Sequence, residues 1–147
     1  MGKYFTIDEL CATDTGLDNT PNELELNNLK ELIKVIDEVR EYWTILCNLN
    51  KWGSGAITVN SGFRSEEVNK AIGGAKESEH KLGFAVDMKP SNGRNKEFWD
   101  FMVEYVKVKQ LNFSQLINEK PKCNIPSWIH FSINGNKGYR KQIFTLV

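Results

Sequence analysis

The sequence has no long apolar run and no excess of charge of one sign. No stretch approaches the roughly 20 apolar residues that a membrane-spanning helix needs. The 19 basic and 19 acidic side chains cancel, so nothing attracts the chain generally to nucleic acid phosphates or an anionic membrane. We therefore expect no nucleic acid partner and no membrane insertion.

The first residues also lack the basic start and apolar stretch of a secretory signal. We expect the chain to be cytoplasmic when it is synthesised. Any role outside the membrane would then follow its release, by lysis or through a membrane-permeabilising partner.

Cysteine and histidine are both scarce, with three and two residues respectively. Cys11, Cys47 and Cys123 are an odd number without C-x-x-C spacing, which argues against a disulfide framework or a cysteine metal site. We interpret all three as ordinary thiols and expect Cys47 to lie in the core.

The 147 residues suit a single domain, residues 1–147, with its own hydrophobic core. Thr20 is the expected cap of a long helix that runs to about residue 47, with Pro21 in its first turn and Glu23 closing the cap. Further helices are predicted at 65–72 and 95–110, and strands at 56–60, 84–88, 113–119, 128–134 and 140–146. Helices followed by a small, mainly antiparallel sheet predict the α+β class.

Both histidines lie in segments that can present a side chain to a common point. His80 precedes a glycine-containing turn and a strand that carries Asp87, while His130 lies on a later strand. Two imidazoles and one carboxylate, with a fourth position open to water, are the ligands of a hydrolytic zinc site. Glu119 could accept a proton there if its segment pairs with the His130 strand.

Ordinary structural roles remain open for all of these residues. A histidine can be a hydrogen-bonded structural residue, Asp87 a salt-bridge partner and Glu119 a solvated turn charge. Arg64 could cap a helix or pair with Glu67.

Several longer segments help to decide between the structural and the functional roles of these residues. They are Ser61-Gly62-Phe63-Arg64-Ser65, Val68-Asn69, Gly73-Gly74, Ser78-x-His80-x-x-Gly83-x-Ala85-x-Asp87 and Trp128-Ile129-His130-Phe131-Ser132. Together they resemble the zinc D-Ala-D-Ala carboxypeptidase family, peptidoglycan peptidases that share a fold with the hedgehog signalling domain. The early segments Leu10-Cys11-Ala12-Thr13-Asp14 and Asp18-Asn19-Thr20-Pro21 are similar to its phage and prophage branch. The resemblance covers nearly the whole chain.

The resemblance implies a hedgehog/DD-peptidase-like fold and one zinc ion per chain, bound by His80, Asp87 and His130. It implies that Arg64 orients the substrate and stabilises the oxyanion, and that Ser78 contacts the substrate. A guanidinium also suits a carboxylate, so Arg64 could instead hold a substrate terminus.

The general base departs from the family pattern. Many relatives carry the catalytic glutamate three residues before the last histidine, where this chain has Ser127. The phage-like branch has a glutamate that closes the preceding strand, which Glu119 matches. Glu79 is the alternative base.

The expected reaction is hydrolysis of a peptide bond in peptidoglycan by a monomer, as a carboxypeptidase or an endopeptidase, and as an endolysin if the chain is a phage protein. The alternative is a catalytically inactive, metal-containing domain that binds the cell wall. A carboxylate base beside the metal would distinguish the peptidase from the inactive binding domain, because only the enzyme needs such a base.

Overall fold

The computed structural model describes residues 2–147, in which helices and strands are interspersed and the last three elements are strands. The helices are α1 (Ile7–Leu10), α2 (Glu23–Asn50), α3 (Glu66–Ala71) and α4 (Asn95–Val108), and a 3₁₀ helix spans Glu79–Leu82. The strands are β1 (Ile57–Ser61), β2 (Ala85–Pro90), β3 (Gln115–Glu119), β4 (Trp128–Ser132) and β5 (Gln142–Leu146). The expected α+β class is confirmed, as a sheet with flanking helices.

The long helix α2 begins at Glu23, and Asn22 rather than Thr20 is its N-cap. The Asn22 side chain accepts a hydrogen bond from the Glu25 backbone N–H, and the Glu25 carboxylate accepts one from the Asn22 backbone N–H. Thr20 instead donates its hydroxyl hydrogen to Asp18. The predicted Thr20 cap is therefore wrong, because the capping box forms two residues further along the chain.

The sheet formed within residues 2–147 has the strand order β1-β2-β4-β3-β5. Neighbouring strands are antiparallel except β3 and β5, which run parallel. The mainly antiparallel sheet is thus as expected, with one parallel pairing at the β5 edge.

One face of the sheet closes the hydrophobic core. Successive strand residues point to opposite faces, so the apolar residues of β2, β3 and β4 bury together with the apolar sides of α2 and α4. The strands contribute Val86, Met88, Leu116, Ile129 and Phe131 to this cluster. Cys47 is fully buried in it, as expected. The opposite face is left free for polar side chains.

Sequence patterns placed the main elements within a few residues of their observed bounds. They missed α1 and the 3₁₀ helix, since four-residue helices are too short to display an apolar repeat. No helix among residues 2–147 combines the length and apolar character needed to cross a bilayer.

Replacing Asn22 by alanine should destabilise the protein, because it removes the side-chain oxygen that accepts the hydrogen bond from the Glu25 backbone N–H. A lost cap typically lowers the free energy of unfolding by ~1 kcal/mol, which for a chain of this size lowers Tm by about 2–4 °C. Thr20→Ala is the matched control and should shift Tm less, as measured by thermal unfolding. Equal shifts in the two variants would contradict the assignment of the cap.

Candidate metal centre

Strand pairing brings Asp87 and His130 side by side. Asp87 of β2 pairs directly with His130 of β4, which in turn pairs with Ile117 of β3. Residues directly opposite each other in a sheet share a face, and this face is the one turned away from the apolar core. Asp87 and His130 are nonetheless buried, so their polar atoms meet largely out of water.

His80 reaches the same point from the 3₁₀ helix. Ser78 caps this helix by accepting a hydrogen bond from the His80 backbone N–H, and Gly83 ends it at φ 83°. The left-handed conformation at Gly83 favours glycine and turns the chain into β2. The short helix and its glycine thus place His80 beside the strand that carries Asp87.

The backbone fixes the tautomer of His80. Its Nδ1 lies 2.7 Å from the carbonyl oxygen of Gly62, which can only accept a hydrogen bond. Nδ1 therefore donates, and in the neutral ring Nε2 carries a lone pair. Burial lowers the pKa of His80 and so favours this neutral ring.

The polar atoms of the three residues converge on one carboxylate oxygen. Asp87 Oδ1 lies 3.3 Å from His80 Nε2 and 3.0 Å from His130 Nδ1. Burial acts to raise the pKa of Asp87, but the neighbouring His80 and His130 outweigh it and hold this pKa well below its usual range. Asp87 is therefore ionised.

These contacts fit a bound cation. The Nε2 lone pair of neutral His80 faces an anionic oxygen with no proton between them, an arrangement that a metal ion would make favourable. A tetrahedral ion with bonds of about 2.0–2.1 Å places neighbouring ligand atoms about 3.3–3.4 Å apart, close to the observed separations. His130 Nε2 is buried without a hydrogen-bond partner among residues 2–147. The hydrogen bond of this ring is therefore the one between Nδ1 and Asp87 Oδ1.

The side chains of His80, Asp87 and His130 form a group that could hold a metal ion, with ligand atoms within 4.8 Å of one another. Among residues 2–147 it is the one group of three or more potential ligand residues with this spacing. All three are buried. The structure thus brings together the three residues in which the sequence predicted a metal site.

Arg64 contacts the other oxygen of Asp87. Its Nη2 donates to Asp87 Oδ2 at 3.2 Å, while Nε donates to Ser61 and Nη1 to Asn69. Burial lowers the pKa of Arg64, and the nearby Asp87 and Glu119 oppose that shift, so the guanidinium remains a cation. Three of its five N–H groups are engaged, which leaves two for a ligand.

Glu119 lies on the same face of the sheet as His130. It is two residues beyond Ile117 on β3, and Ile117 is the direct partner of His130. The Glu119 side chain is half-buried and lines the cavity that contains the three converging residues. Burial and the charge of Asp87 raise its pKa above the usual value.

The cavity over this face has a volume of about 540 Å³ and opens to solvent. Its walls are rich in charged and polar groups, including Arg64, Ser78, Lys120, Lys137 and Arg140. All the residues predicted from sequence to take part in the site therefore line one cleft.

Glu79 has a different environment from Glu119. Its two oxygens accept hydrogen bonds from Ser114 and Ser132, and Arg140 lies within ion-pair distance of one oxygen. A carboxylate with both oxygens engaged is less suited to accept a proton from water, so the geometry favours Glu119 as the base. Sequence reasoning missed the three partners of Glu79, because they are remote in the chain and carry no motif.

Comparison with known proteins agrees with the geometry. A family model described as Peptidase M15 matches residues 3–118, more than half of the chain, and the chain therefore belongs to this family. Peptidases of this family depend on a metal ion, so the chain is a metallopeptidase. The match includes His80 and Asp87 and ends before Glu119 and His130. No curated protein matches the chain.

The expected peptidase family is confirmed at this level, while the D-Ala-D-Ala carboxypeptidase group and its phage branch stay predictions.

The purified protein should hold about one divalent metal ion per chain, because the three ligand atoms already have suitable spacing. His130→Ala should lose most of the metal in elemental analysis. Glu77→Ala, which removes an exposed acid from the cleft wall, should retain it. Full metal content in His130→Ala would show that the metal binds elsewhere.

Proposed function

We propose that the chain is a zinc peptidase that hydrolyses a peptide bond in bacterial peptidoglycan. The observation that carries this proposal is the convergence of His80, Asp87 and His130 at the floor of an open cleft, with Glu119 on the same sheet face. The family supplies the reaction class, and the sequence resemblance supplies the substrate.

Zinc is the metal that best suits the three side chains. Two imidazole nitrogens and one carboxylate oxygen are the ligand set of a catalytic zinc site that keeps a position open. Bound there, Zn²⁺ would act as a Lewis acid on the scissile carbonyl and lower the pKa of the attacking water to about 7.

Glu119 is the proposed general base. Its carboxylate would take the proton of the attacking water and return it to the leaving amine, so that no covalent intermediate is needed. The raised pKa supports this role, because a base is most effective when its pKa approaches the working pH. Its position in the cleft also favours an enzyme over a silent binding domain.

Arg64 has two proposed tasks. The contact of Nη2 with Asp87 Oδ2 orients the carboxylate so that Oδ1 faces the histidines. The two remaining N–H groups can donate to the oxyanion or to a carboxylate terminus of the substrate. Ser78 already accepts from the His80 backbone, and its hydroxyl hydrogen is free to bind substrate.

The cleft suits a polar peptide better than an apolar ligand. Charged groups of both signs line its walls, and the side of Trp128 adds an apolar surface. A peptide can place its amides and carboxylates among such groups without leaving them unpaired in a buried site. The stem and cross-link peptides of peptidoglycan have this character.

Digestion of purified peptidoglycan, followed by mass spectrometry of the products, tests the substrate and identifies the bond. Release of single residues indicates a carboxypeptidase, whereas opened cross-links indicate an endopeptidase. Metal-depleted protein and His130→Ala are the controls. Binding to the wall without cleavage, by protein that holds its metal, would favour the inactive binding domain instead.

Glu119→Gln should lower turnover roughly 100-fold or more, because the amide keeps the shape of the side chain but cannot accept the proton. The rate is measured on peptidoglycan fragments, with metal content and substrate binding as controls. Glu104→Gln, an exposed residue of α4, should cleave at the wild-type rate. A Glu119→Gln variant as fast as the wild type would assign the base to another residue.

A further inference from the structure

A ring of hydrogen bonds surrounds the buried carboxylate of Glu79, whose residue is 6% exposed. Ser132 donates to Oε1 at 2.8 Å, and Ser114 donates to Oε2 at 2.6 Å. Arg140 closes the ring, with Nη2 3.1 Å from Glu79 Oε1 and Nε donating to Ser114 Oγ at 3.1 Å. We call these four residues the Glu79 ring.

The Glu79 ring joins four separate parts of the fold. Glu79 opens the 3₁₀ helix, Ser114 immediately precedes β3, Ser132 ends β4, and Arg140 lies just before β5. Each connection is made by a side chain whose partners are buried or half-buried, so water competes with these bonds less than at the surface.

The position of Glu79 in the chain gives the ring its significance. Glu79 is the neighbour of His80 within the same short helix, while Ser132 is two residues from His130 on β4. The ring therefore ties the element that carries one proposed ligand to the strand that carries another. The Glu79 side chain has no hydrogen bond to either imidazole, so it acts through the backbone.

Gly135 provides an independent sign that the carboxylate must stay in place. A Cβ atom at residue 135 would overlap Glu79 Oε2. To relieve this overlap, either Glu79 Oε2 would leave the Ser114 hydroxyl or the backbone at residue 135 would move. Glycine at this point therefore preserves the ring.

We propose that the Glu79 ring is a positioning device for the metal centre, with Glu79 and Arg140 as its charged pair. It holds His80 against the strand of His130 and fixes the segment before β5, which forms one wall of the cleft. The inference rests on the proposed metal site and adds residues that lie outside the proposed ligand set.

Cobalt binding to metal-free protein tests the inference without reference to catalysis. The dissociation constant of Co²⁺ is measured by chelator competition, and its visible absorption spectrum reports the coordination. Removing a group that supports metal ligands typically weakens metal binding about 10–100-fold. Glu79→Gln should fall in this range and alter the spectrum, and Gly135→Ala should shift both readouts in the same direction.

A milder variant covers the case in which Glu79→Gln does not fold. Ser132→Ala removes one donor of the Glu79 ring and should weaken Co²⁺ binding by less than Glu79→Gln. Val39→Ala, in the core part of α2, is the structural control. It should lower Tm yet leave the dissociation constant of Co²⁺ and the spectrum unchanged.

One outcome would overturn the inference while the proposed metal site stands. Wild-type Co²⁺ binding in Glu79→Gln, or in Ser132→Ala if the former is unfolded, would show that the ring does not position the ligands. If such a Glu79→Gln variant also lost turnover, Glu79 would replace Glu119 as the proposed base. A wild-type chain that binds no Co²⁺ would instead overturn the proposed metal site and this inference with it.

Discussion

The site depends on a single carboxylate that several groups share. Asp87 offers Oδ1 to two imidazole nitrogens and Oδ2 to the guanidinium of Arg64. In a buried position an isolated carboxylate is costly, and only its partners make it tolerable. The Arg64 ion pair balances one negative charge, while the lone pair of His80 still faces an anion. A cation between the histidines and Asp87 would bind both the His80 lone pair and Asp87 Oδ1, which is why the arrangement fits a metal ion.

The sheet makes this convergence possible. Register pairs Asp87 with His130, and strand alternation sends Glu119 to the same face two residues beyond the partner of His130. A shift of one residue in either pairing would turn a ligand or the proposed base toward the apolar core. The buried residues on the opposite face, such as Val86, Ile129 and Phe131, oppose such a shift. Core packing and site geometry are therefore two consequences of one register.

Local patterns predicted the strands and the longer helices, while the metal ligands His80, Asp87 and His130 were predicted from the resemblance to a peptidase family, since spacing alone left structural roles open. Local patterns failed where several residues satisfy the same local rule. Thr20 and Asn22 are both good caps, and each has a glutamate three residues ahead, so the local pattern does not show that the helix begins at Glu23 with Asn22 as its cap. The partners of Glu79 could not be predicted, since its two serine partners lie 35 and 53 residues away, Arg140 lies further still, and all three meet it only in the folded chain.

The wide separation of the site residues has a consequence for the order in which activity can arise. Asp87 and His130 are 43 residues apart, and the pairing of β2 with β4 is what joins them. Contacts between distant residues carry a loop-closure cost and form late when local structure forms early. A chain that has only its helices would thus lack a hydrolytic centre. The three candidate ligands would come together only when β2 pairs with β4, so the capacity to hold a metal through all three would arise at that stage of folding.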